Sequence, residues 1–185
     1  MHGWMADRLG DSTAKDLGRL TLNPIPHIDL FGSILLPFIL VVSGASFVFG
    51  WAKPVPFNPN NLRDQKYGSA KVAIAGPAGN LITALFFGLI LRFSGSIEWL
   101  VANPLLISLL VIIVYINLLL MVFNLVPIPP LDGSKVLAAF LPYEAQRKFF
   151  EIERYGMFLV ILFLIFGFSL IIPVINFLFN LIVGG

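Results

Sequence analysis

Residues 105–126 have the sequence LLISLLVIIVYINLLLMVFNLV, which contains no charged residue. About 20 apolar residues are enough to cross the hydrocarbon core of a bilayer as one helix. This stretch therefore predicts a membrane-spanning helix. Working outward from it, further uncharged runs lie at 30–52, 72–91 and 155–185. Runs of this length and composition predict a membrane protein built from helices.

The composition of the whole chain supports this prediction. The 185 residues are 58% hydrophobic and 12% charged, with a mean hydropathy of +0.91, which is too apolar for a soluble globular domain. The absence of cysteine excludes a disulfide scaffold, a cysteine nucleophile and a cysteine zinc knot. The twelve Lys and Arg residues lie beside the apolar runs, where they are the ordinary signal of membrane topology, so the net charge of +2 does not indicate a nucleic-acid partner.

The predicted fold is an all-α polytopic membrane protein, forming a single domain over residues 1–185. We predict three transmembrane helices, at 72–93, 105–126 and 157–183. The last run is long enough for a tilted helix, and Gly167 and Pro173 predict a kink in it.

Residues 31–52, hereafter the hairpin run, are the weakest candidate for a spanning helix. Pro37 lies near the start of the run, and the sequence Ser-Gly-Ala-Ser occupies 43–46 at its centre. Proline and glycine both interrupt helices. We therefore expect this run to enter the membrane and return as a re-entrant hairpin.

The amino-terminal part of the chain predicts a short helical stub. Residues 1–9 have the composition of the tail of a helix, and Gly10 is suited to the left-handed cap that ends one. No apolar core of a signal peptide is present in these residues. Prolines between residues 19 and 30 forbid a continuing helix, and the alternating Leu20 and Leu22 permit a small β-hairpin there.

Asp132 is the residue that most strongly indicates chemistry. An ionisable group at the end of a long uncharged run is costly unless it is paired, hydrated or bound to a metal. Asn124 precedes it in the sequence NLVPIPPLDG and can donate hydrogen bonds to freed backbone groups. One alternative remains open, in which Asp132 caps a helix that begins around Ser134.

The segment before Asp132 cannot continue the preceding helix. Pro127, Pro129 and Pro130 lack backbone donors, so the chain must unwind while it is still near membrane depth. Non-helical backbone at that depth is tolerated only beside protein or a water-filled cavity.

Four separate segments, in order, resemble the site-2 protease family of intramembrane zinc metalloproteases. They are HGWMADRLGDSTAKDLGRLTLNPIPHID from residue 2, GWAKPVPFNP from residue 50, VAIAGPAGN from residue 72 and FNLVPIPPLDG from residue 123. The resemblance implies hydrolysis of peptide bonds in membrane-anchored proteins, with one Zn²⁺ ion that activates a water molecule. The bilayer and a membrane-anchored protein substrate are the implied partners.

In that family one helix carries His-Glu-x-x-His, and an Asp-Gly motif on a later helix completes the zinc site. The resemblance makes His2 the second histidine of the first motif and Asp132 the carboxylate ligand. Two histidines four residues apart share one helical face, and three protein ligands leave the fourth position for water. The residues that would form the wall of this site are Asn124, Pro127, Pro129, Pro130 and Gly133.

The sequence departs from the family pattern at its start. Only Met1 precedes His2, so the first histidine and the glutamate that acts as general base are missing from these residues. We interpret the chain as an amino-terminally truncated member and expect it to be inactive as given. An in-frame His-Glu-x in the upstream coding sequence would establish a misplaced start.

Three further polar residues are candidates for supporting roles. The resemblance implies a structural or second-shell role for His27 and Asp29, and the alternative is that they replace the missing ligand. Asn80 ends the GPAGN motif and is either a second-shell residue or part of a tight helix interface.

Two other functions remain open. One is a catalytically inactive scaffold that binds transmembrane helices without cutting them. The other, which leaves the resemblance unexplained, is a small transporter or channel in which Asp132 binds an ion. The sequence specifies neither the substrate nor the oligomeric state.

The distribution of basic residues predicts the orientation in the membrane. If the hairpin run returns, eleven of the twelve Lys and Arg residues lie on one face and Arg92 lies near the other. If the run crosses, the division is eight against four. The positive-inside rule favours the first arrangement and makes the charged face cytoplasmic, in a cell membrane that we expect to be prokaryotic.

Overall fold

The computed structural model describes residues 1–21, 23–44, 48, 50, 52–53 and 55–184. Most of the described residues are helical and none of them forms a strand, which confirms the predicted all-α class. The chain divides into two compact units, one of which is His2–Gly68 and the other Ser69–Gly185 together with Met1.

The first unit consists of short helical elements. They are α1 (His2–Arg8), α2 (Thr13–Asp16), a 3₁₀ turn (Ile25–His27), a π-helical turn (Leu30–Leu35) that continues into α3 (Leu36–Val42), and a 3₁₀ turn (Pro59–Asn61). Helix α1 ends as the sequence predicts, because Gly10 adopts a φ of 112°. The N–H of Asp11 then donates to the carbonyl of Ala6 at 2.9 Å, which closes the helix end.

The β-hairpin that the sequence permits between residues 19 and 30 is not formed by the described residues of that segment, and Leu22 lies outside them. The 3₁₀ turn occupies this place instead. Asn23 Oδ1 accepts the N–H of Ile25 at 3.1 Å, and the N–H of His27 donates to the carbonyl of Pro24 at 2.9 Å. The two prolines of this segment cannot donate to a strand ladder, and they favour a tight turn.

The two ends of the hairpin run lie next to each other. The N–H of Lys53 donates to the carbonyl of His27 at 2.9 Å. A Cβ atom built on Gly50 would lie 2.5 Å from the carbonyl oxygen of Gly32. The backbone therefore leaves this point along α3 and comes back to it, while residues 45–47 at the predicted tip lie outside the described part.

The second unit contains the long helices. Its elements are α4 (Gly68–Arg92, which begins at the unit boundary), α5 (Glu98–Val101), α6 (Pro104–Leu125), α7 (Asp132–Phe140), α8 (Tyr143–Ile152), α9 (Gly156–Leu162) and α10 (Phe168–Val183). Three helical stretches are long and apolar enough to cross a membrane: Gly68–Arg92, Pro104–Leu125 and Tyr143–Val183. These stretches confirm the three predicted transmembrane helices.

The core of this unit lies between α4, α6 and α10. Its buried side chains are Ala84, Val114, Leu118, Met121, Ile171, Ile175 and Ile182. A Cβ atom on Gly88 would collide with Ile182 of α10 and lie 3.7 Å from Val114 Cγ1. Small residues permit this close approach of helices in membranes. Most other residues of the three stretches are not buried within the structure, as expected where lipid surrounds a helix.

Two features complete the last helical stretch. A π-helical turn, Phe163–Gly167, joins α9 to α10 and interrupts the helix where the sequence predicts a kink. The guanidinium group of Arg92 donates to the carbonyl of Leu181 at 3.1 Å, so it caps the end of α10. A cation is favourable there because the last carbonyls of a helix carry partial negative charge.

Candidate metal centre

Between α6 and α7 the chain is non-helical over residues 126–131, hereafter the proline loop. Helix α6 ends because Val126 is extended, with a ψ of 130°. The loop satisfies its own backbone donors, since Ile128 N–H donates to Val126 at 2.8 Å and Leu131 N–H donates to Ile128 at 2.9 Å. The Pro129–Pro130 peptide bond is cis.

Two glycines hold the proline loop in place. A Cβ atom on Gly133 would collide with the carbonyl of Leu125 and lie 2.6 Å from that of Val126. A Cβ atom on Gly156 would lie 2.8 Å from the carbonyl oxygen of Pro129. In both cases the obstructing atoms belong to the backbone and cannot rotate away. The starts of α7 and α9 therefore pack against the loop at distances that only glycine permits.

Asp132 is the first residue of α7. Its carboxylate side chain is 15% exposed, and Oδ1 lies 3.8 Å from Nζ of Lys135. Leu131 occupies the cap position without a side-chain cap hydrogen bond, and Ser134 Oγ donates to the Leu131 carbonyl at 2.7 Å. The helix thus begins two residues earlier than in the alternative in which Asp132 caps it.

Asn124 does not make the hydrogen bonds to freed loop backbone that the sequence predicts for it. Its side-chain amide donates to the carbonyl of Leu120 at 2.9 Å, one turn back in α6. The expected hydrogen bonds to the loop backbone are made by the loop itself. No buried side-chain nitrogen or oxygen in the described part of the chain is left without a partner.

His2 is the first residue of α1 and is partly exposed. Its neighbour Gly3 is buried, and a Cβ atom there would lie 2.8 Å from Leu20 and 3.1 Å from Ala14. A larger residue after the histidine would therefore be crowded by side chains of the first unit. His2 belongs to that unit, whereas Asp132 belongs to the second.

The described residues do not complete a metal site by themselves. Among them, no group of three or more His, Asp or Glu side chains is placed to hold a metal ion.

His27 and Asp29 make local hydrogen bonds. His27 Nε2 lies 3.2 Å from the carbonyl oxygen of Thr21. Asp29 Oδ1 accepts the N–H of Gly32 at 2.7 Å, which caps the π-helical turn that begins the hairpin run. These contacts fit the structural alternative for the pair. Asn80 lies within α4 and is partly exposed.

A buried carboxylate that sequence reasoning missed lies in the first unit. Asp11 is fully buried, and Oδ1 accepts from Thr13 Oγ1 at 2.5 Å and from Asn61 Nδ2 at 2.9 Å. Oδ2 accepts the N–H of Asn58 at 2.7 Å. Burial by itself would raise the pKa of this carboxyl, but the hydrogen bonds outweigh burial and lower the pKa below its ordinary value of 3.8. Asp11 thus fastens the loop after the hairpin run to the end of α1.

An apolar cavity of about 310 Å³ adjoins the proline loop. Its lining residues are Ile128 of the loop and Leu159, Leu162, Phe163, Phe166 and Gly167 of the last helical stretch. The surface beside Ile128 is therefore suited to apolar groups.

A family model and the curated relatives of this chain indicate the same protein family. A model described as Peptidase family M50 matches residues 96–168, which include the proline loop and Asp132. The protein named "Putative zinc metalloprotease YwhC" of Bacillus subtilis is 39% identical over 180 residues, covering 95% of this chain and 78% of that protein. No solved structure matches the chain.

Two relatives that match over smaller parts of their own length are also named as zinc metalloproteases. The protein named "Putative zinc metalloprotease Rip2" of Mycolicibacterium smegmatis is 31% identical over 165 residues, which cover 89% of this chain and 60% of that protein. The protein named "Putative zinc metalloprotease MJ0611" of Methanocaldococcus jannaschii is 38% identical over 110 residues, covering 58% of this chain and 51% of that protein.

The family model, the relatives named as zinc metalloproteases and the three apolar helices long enough to cross a membrane define the class, a membrane-embedded metallopeptidase. The chain belongs to peptidase family M50, the site-2 protease family of intramembrane zinc metalloproteases.

Proposed function

We propose that this chain supplies His2 and Asp132 as two of the three protein ligands of a zinc-dependent intramembrane protease, which cuts membrane-anchored proteins. The observation that carries the proposal is the position of Asp132. Its shielded carboxylate stands at the first residue of α7, directly after a loop that two glycines hold against backbone. A ligand on such a support keeps a fixed position.

The donor types suit zinc, since an imidazole nitrogen and a carboxylate oxygen are both ligands of catalytic zinc sites. When bound, the ion supplies a water molecule activated for attack on a peptide carbonyl. We propose that the remaining histidine and the general-base glutamate are encoded upstream of Met1. The proline loop positions Asp132 and forms one wall of the site.

The proposed substrate is the membrane segment of an anchored protein. The apolar cavity beside Ile128 supports this choice, because an apolar side chain near the cut bond would find apolar neighbours there. The protein is an integral membrane protein by family and helix composition. We place it in the cell membrane of a prokaryote, since the relatives with matching sequence come from bacteria and an archaeon.

The proposed topology has the hairpin run entering the membrane and returning. The hydrogen bond between Lys53 and His27 supports it, because these residues flank the run and lie at one point. With this topology eleven of the twelve Lys and Arg residues face one side. The positive-inside rule makes that side cytoplasmic.

The test uses a longer protein that includes the upstream coding segment, reconstituted in liposomes. Zinc content is measured by mass spectrometry, and cleavage is measured with a library of single-span reporter proteins. His2→Ala and Asp132→Ala should each lower bound zinc and abolish cleavage, because each removes one of three ligands. The 185 residues alone should bind zinc weakly. Asp16→Ala, at an exposed position of α2, is the matched control.

An Asp132→Ala enzyme that still cuts its substrate would overturn the ligand assignment. A longer protein that binds reporter helices but cuts none of them would instead establish the inactive scaffold.

A further inference from the structure

Helix α8 separates its charged and apolar side chains onto opposite faces. With 3.6 residues per turn, its charged residues fall within an arc of about 100°. They are Glu144, Arg147, Lys148 and Glu151. The remaining arc carries Tyr143, Ala145, Gln146, Phe149, Phe150 and Ile152. Of these six residues, only Gln146 is strongly polar.

The apolar face of α8 is largely uncovered within its own unit. Tyr143 is 75% exposed, Phe150 46% and Ile152 44%. The flanking aromatic residues Phe140 and Tyr155 are 73% and 55% exposed. None of the residues of α8 is fully buried.

The chain around α8 is tied to the membrane at both ends. Helix α7 begins seven residues after Leu125, the last residue of α6, and α9 begins at Gly156 as part of the last apolar stretch. Helix α8 is the first part of the helical stretch Tyr143–Val183, but its ten residues are only about 15 Å long, half the thickness of the hydrocarbon core. Because α8 carries four charged residues, the uncharged residues 155–183 are the part of this stretch that is suited to cross. A 3₁₀ turn, Glu153–Tyr155, separates it from α9.

We propose that α8 is a membrane-interface anchor, which lies along the headgroup region with Phe149, Phe150 and Ile152 toward the acyl chains. Amphipathic helices with aromatic residues on one face and charges on the other adopt this position. Tyrosine and other aromatic side chains are favoured at the same depth. A bilayer surface covers the exposed face without a further protein.

Apolar contact rather than charge holds this anchor. Residues 143–155 contain three acidic residues (Glu144, Glu151, Glu153) and three basic residues (Arg147, Lys148, Arg154). The net charge of this segment is zero, so anionic headgroups add little attraction. Binding of α8 to the interface should therefore be the same in zwitterionic and anionic bilayers.

The anchor has a consequence for the metal centre, which rests on the proposed function. Only residues 141–142 separate α7 from α8. With α8 held at the headgroups, α7 and its first residue, Asp132, are held at a fixed depth. The anchor would thereby set how deep in a substrate the cut is made.

The test exploits the absence of native cysteine, so that single spin labels can be attached to an otherwise unchanged chain. Phe150→Cys and Glu151→Cys are adjacent in sequence and about 100° apart around α8, the first in the apolar arc and the second in the charged arc. In liposomes of phosphatidylcholine, the label at 150 should be several-fold more accessible to oxygen than to a water-soluble nickel chelate. The label at 151 should show the opposite preference, and added phosphatidylglycerol should change neither result.

Equal exposure of both labels to the nickel chelate would overturn the proposal, because α8 would then extend into water. Protection of position 150 from both reagents, with dipolar broadening between labels, would overturn it in favour of contact with a second copy. If Phe150→Cys does not fold, Tyr143→Cys replaces it, since Tyr143 is 75% exposed and tolerant of substitution. The measurement needs neither zinc nor cleavage, so its failure is distinct from failure of the proposed function.

Discussion

At the scale of single residues, two aspartates of this chain have contrasting surroundings. Asp11 is fully buried and uses both oxygens as acceptors from the backbone and side chains around it. Asp132 keeps 15% of its side chain exposed beside Lys135. The hydrogen bonds of Asp11 give it a structural role, whereas Asp132, at the first residue of α7, is the residue that we propose as a metal ligand.

Replacing Asp11 should destabilise the first unit. Asp11→Ala removes the buried carboxylate that accepts hydrogen bonds from Asn58 and Asn61, and a hydrogen bond to a charged group contributes about 1.5–3 kcal/mol. We expect a lower unfolding temperature in detergent at pH 7, measured by thermal denaturation. Asp16→Ala is the control, since Asp16 is exposed and accepts a hydrogen bond from Ser12 at the surface. Equal unfolding temperatures for the two variants would contradict the assigned role of Asp11.

The same residue predicts a dependence of stability on pH. Folding lowers the pKa of Asp11, so its ionised form stabilises the folded state at pH values above the ordinary 3.8. This contribution should be lost as the pH falls below that value through the lowered pKa of the folded state. Asp11→Asn removes the titrating group, so its unfolding temperature should fall less than that of the original chain upon acidification. An equal fall in both would show that Asp11 contributes nothing to acid sensitivity.

These two aspartates show what a sequence can reveal about individual residues. Asp132 is a candidate from sequence because its signal is local, an acidic residue directly after an uncharged run and three prolines, and its role as a metal ligand stays a prediction. Asp11 accepts hydrogen bonds from residues 47 and 50 positions away, and nothing near it in sequence indicates them.

At the scale of elements, the proline loop depends on the glycines packed against it. Gly133→Ala would place a methyl group against two backbone carbonyls, so α7 must shift away from α6. Overpacking of this kind costs about 1–3 kcal/mol. We expect a lower unfolding temperature and, in the longer protein, reduced zinc binding, because Asp132 moves with α7.

Gly95→Ala provides the control for this substitution. Nothing lies within 4 Å of a Cβ atom at Gly95, so this variant should match the original chain in unfolding temperature and zinc binding. If Gly133→Ala also behaved like the original chain, the loop would not be held by close packing.

The long helices are predictable from sequence because an uncharged run of about 20 residues has few alternatives in a membrane protein. The amphipathic helix α8 also has a signal in the sequence, because its charged residues are three and four positions apart. This signal is easily missed between the two apolar runs that flank it. Gly167 predicts a kink in the last helix, but nothing in the sequence indicates that the kink is the π-helical turn Phe163–Gly167. It forms where the ring of Phe163 packs beside Gly167 and 6.2 Å from the ring of Phe123.

At the scale of the whole molecule, the proposed topology divides the basic residues unequally between the two membrane faces. Eleven of the twelve basic residues belong to the segments that the proposed topology puts on one side. Arg92 is the exception, and its guanidinium group donates to carbonyls at the end of α10. The cation on the opposite side is therefore neutralised in part by a helix terminus rather than by an acidic residue.

The topology makes a prediction that thiol labelling can test. The hydrogen bonds from Asn58 and Asn61 to Asp11 join the segments before and after the hairpin run. Ser12→Cys and Asn60→Cys, each beside this junction, should both be shielded from a membrane-impermeant thiol reagent added outside intact cells. Ser96→Cys, in the exposed turn after α4, should be labelled and shows that the reagent reaches the outer face.

Labelling at only one of positions 12 and 60 would mean that the hairpin run crosses the bilayer. The division of basic residues would then be eight against four, and the proposal that His2 and Asp132 bind one zinc ion would be wrong.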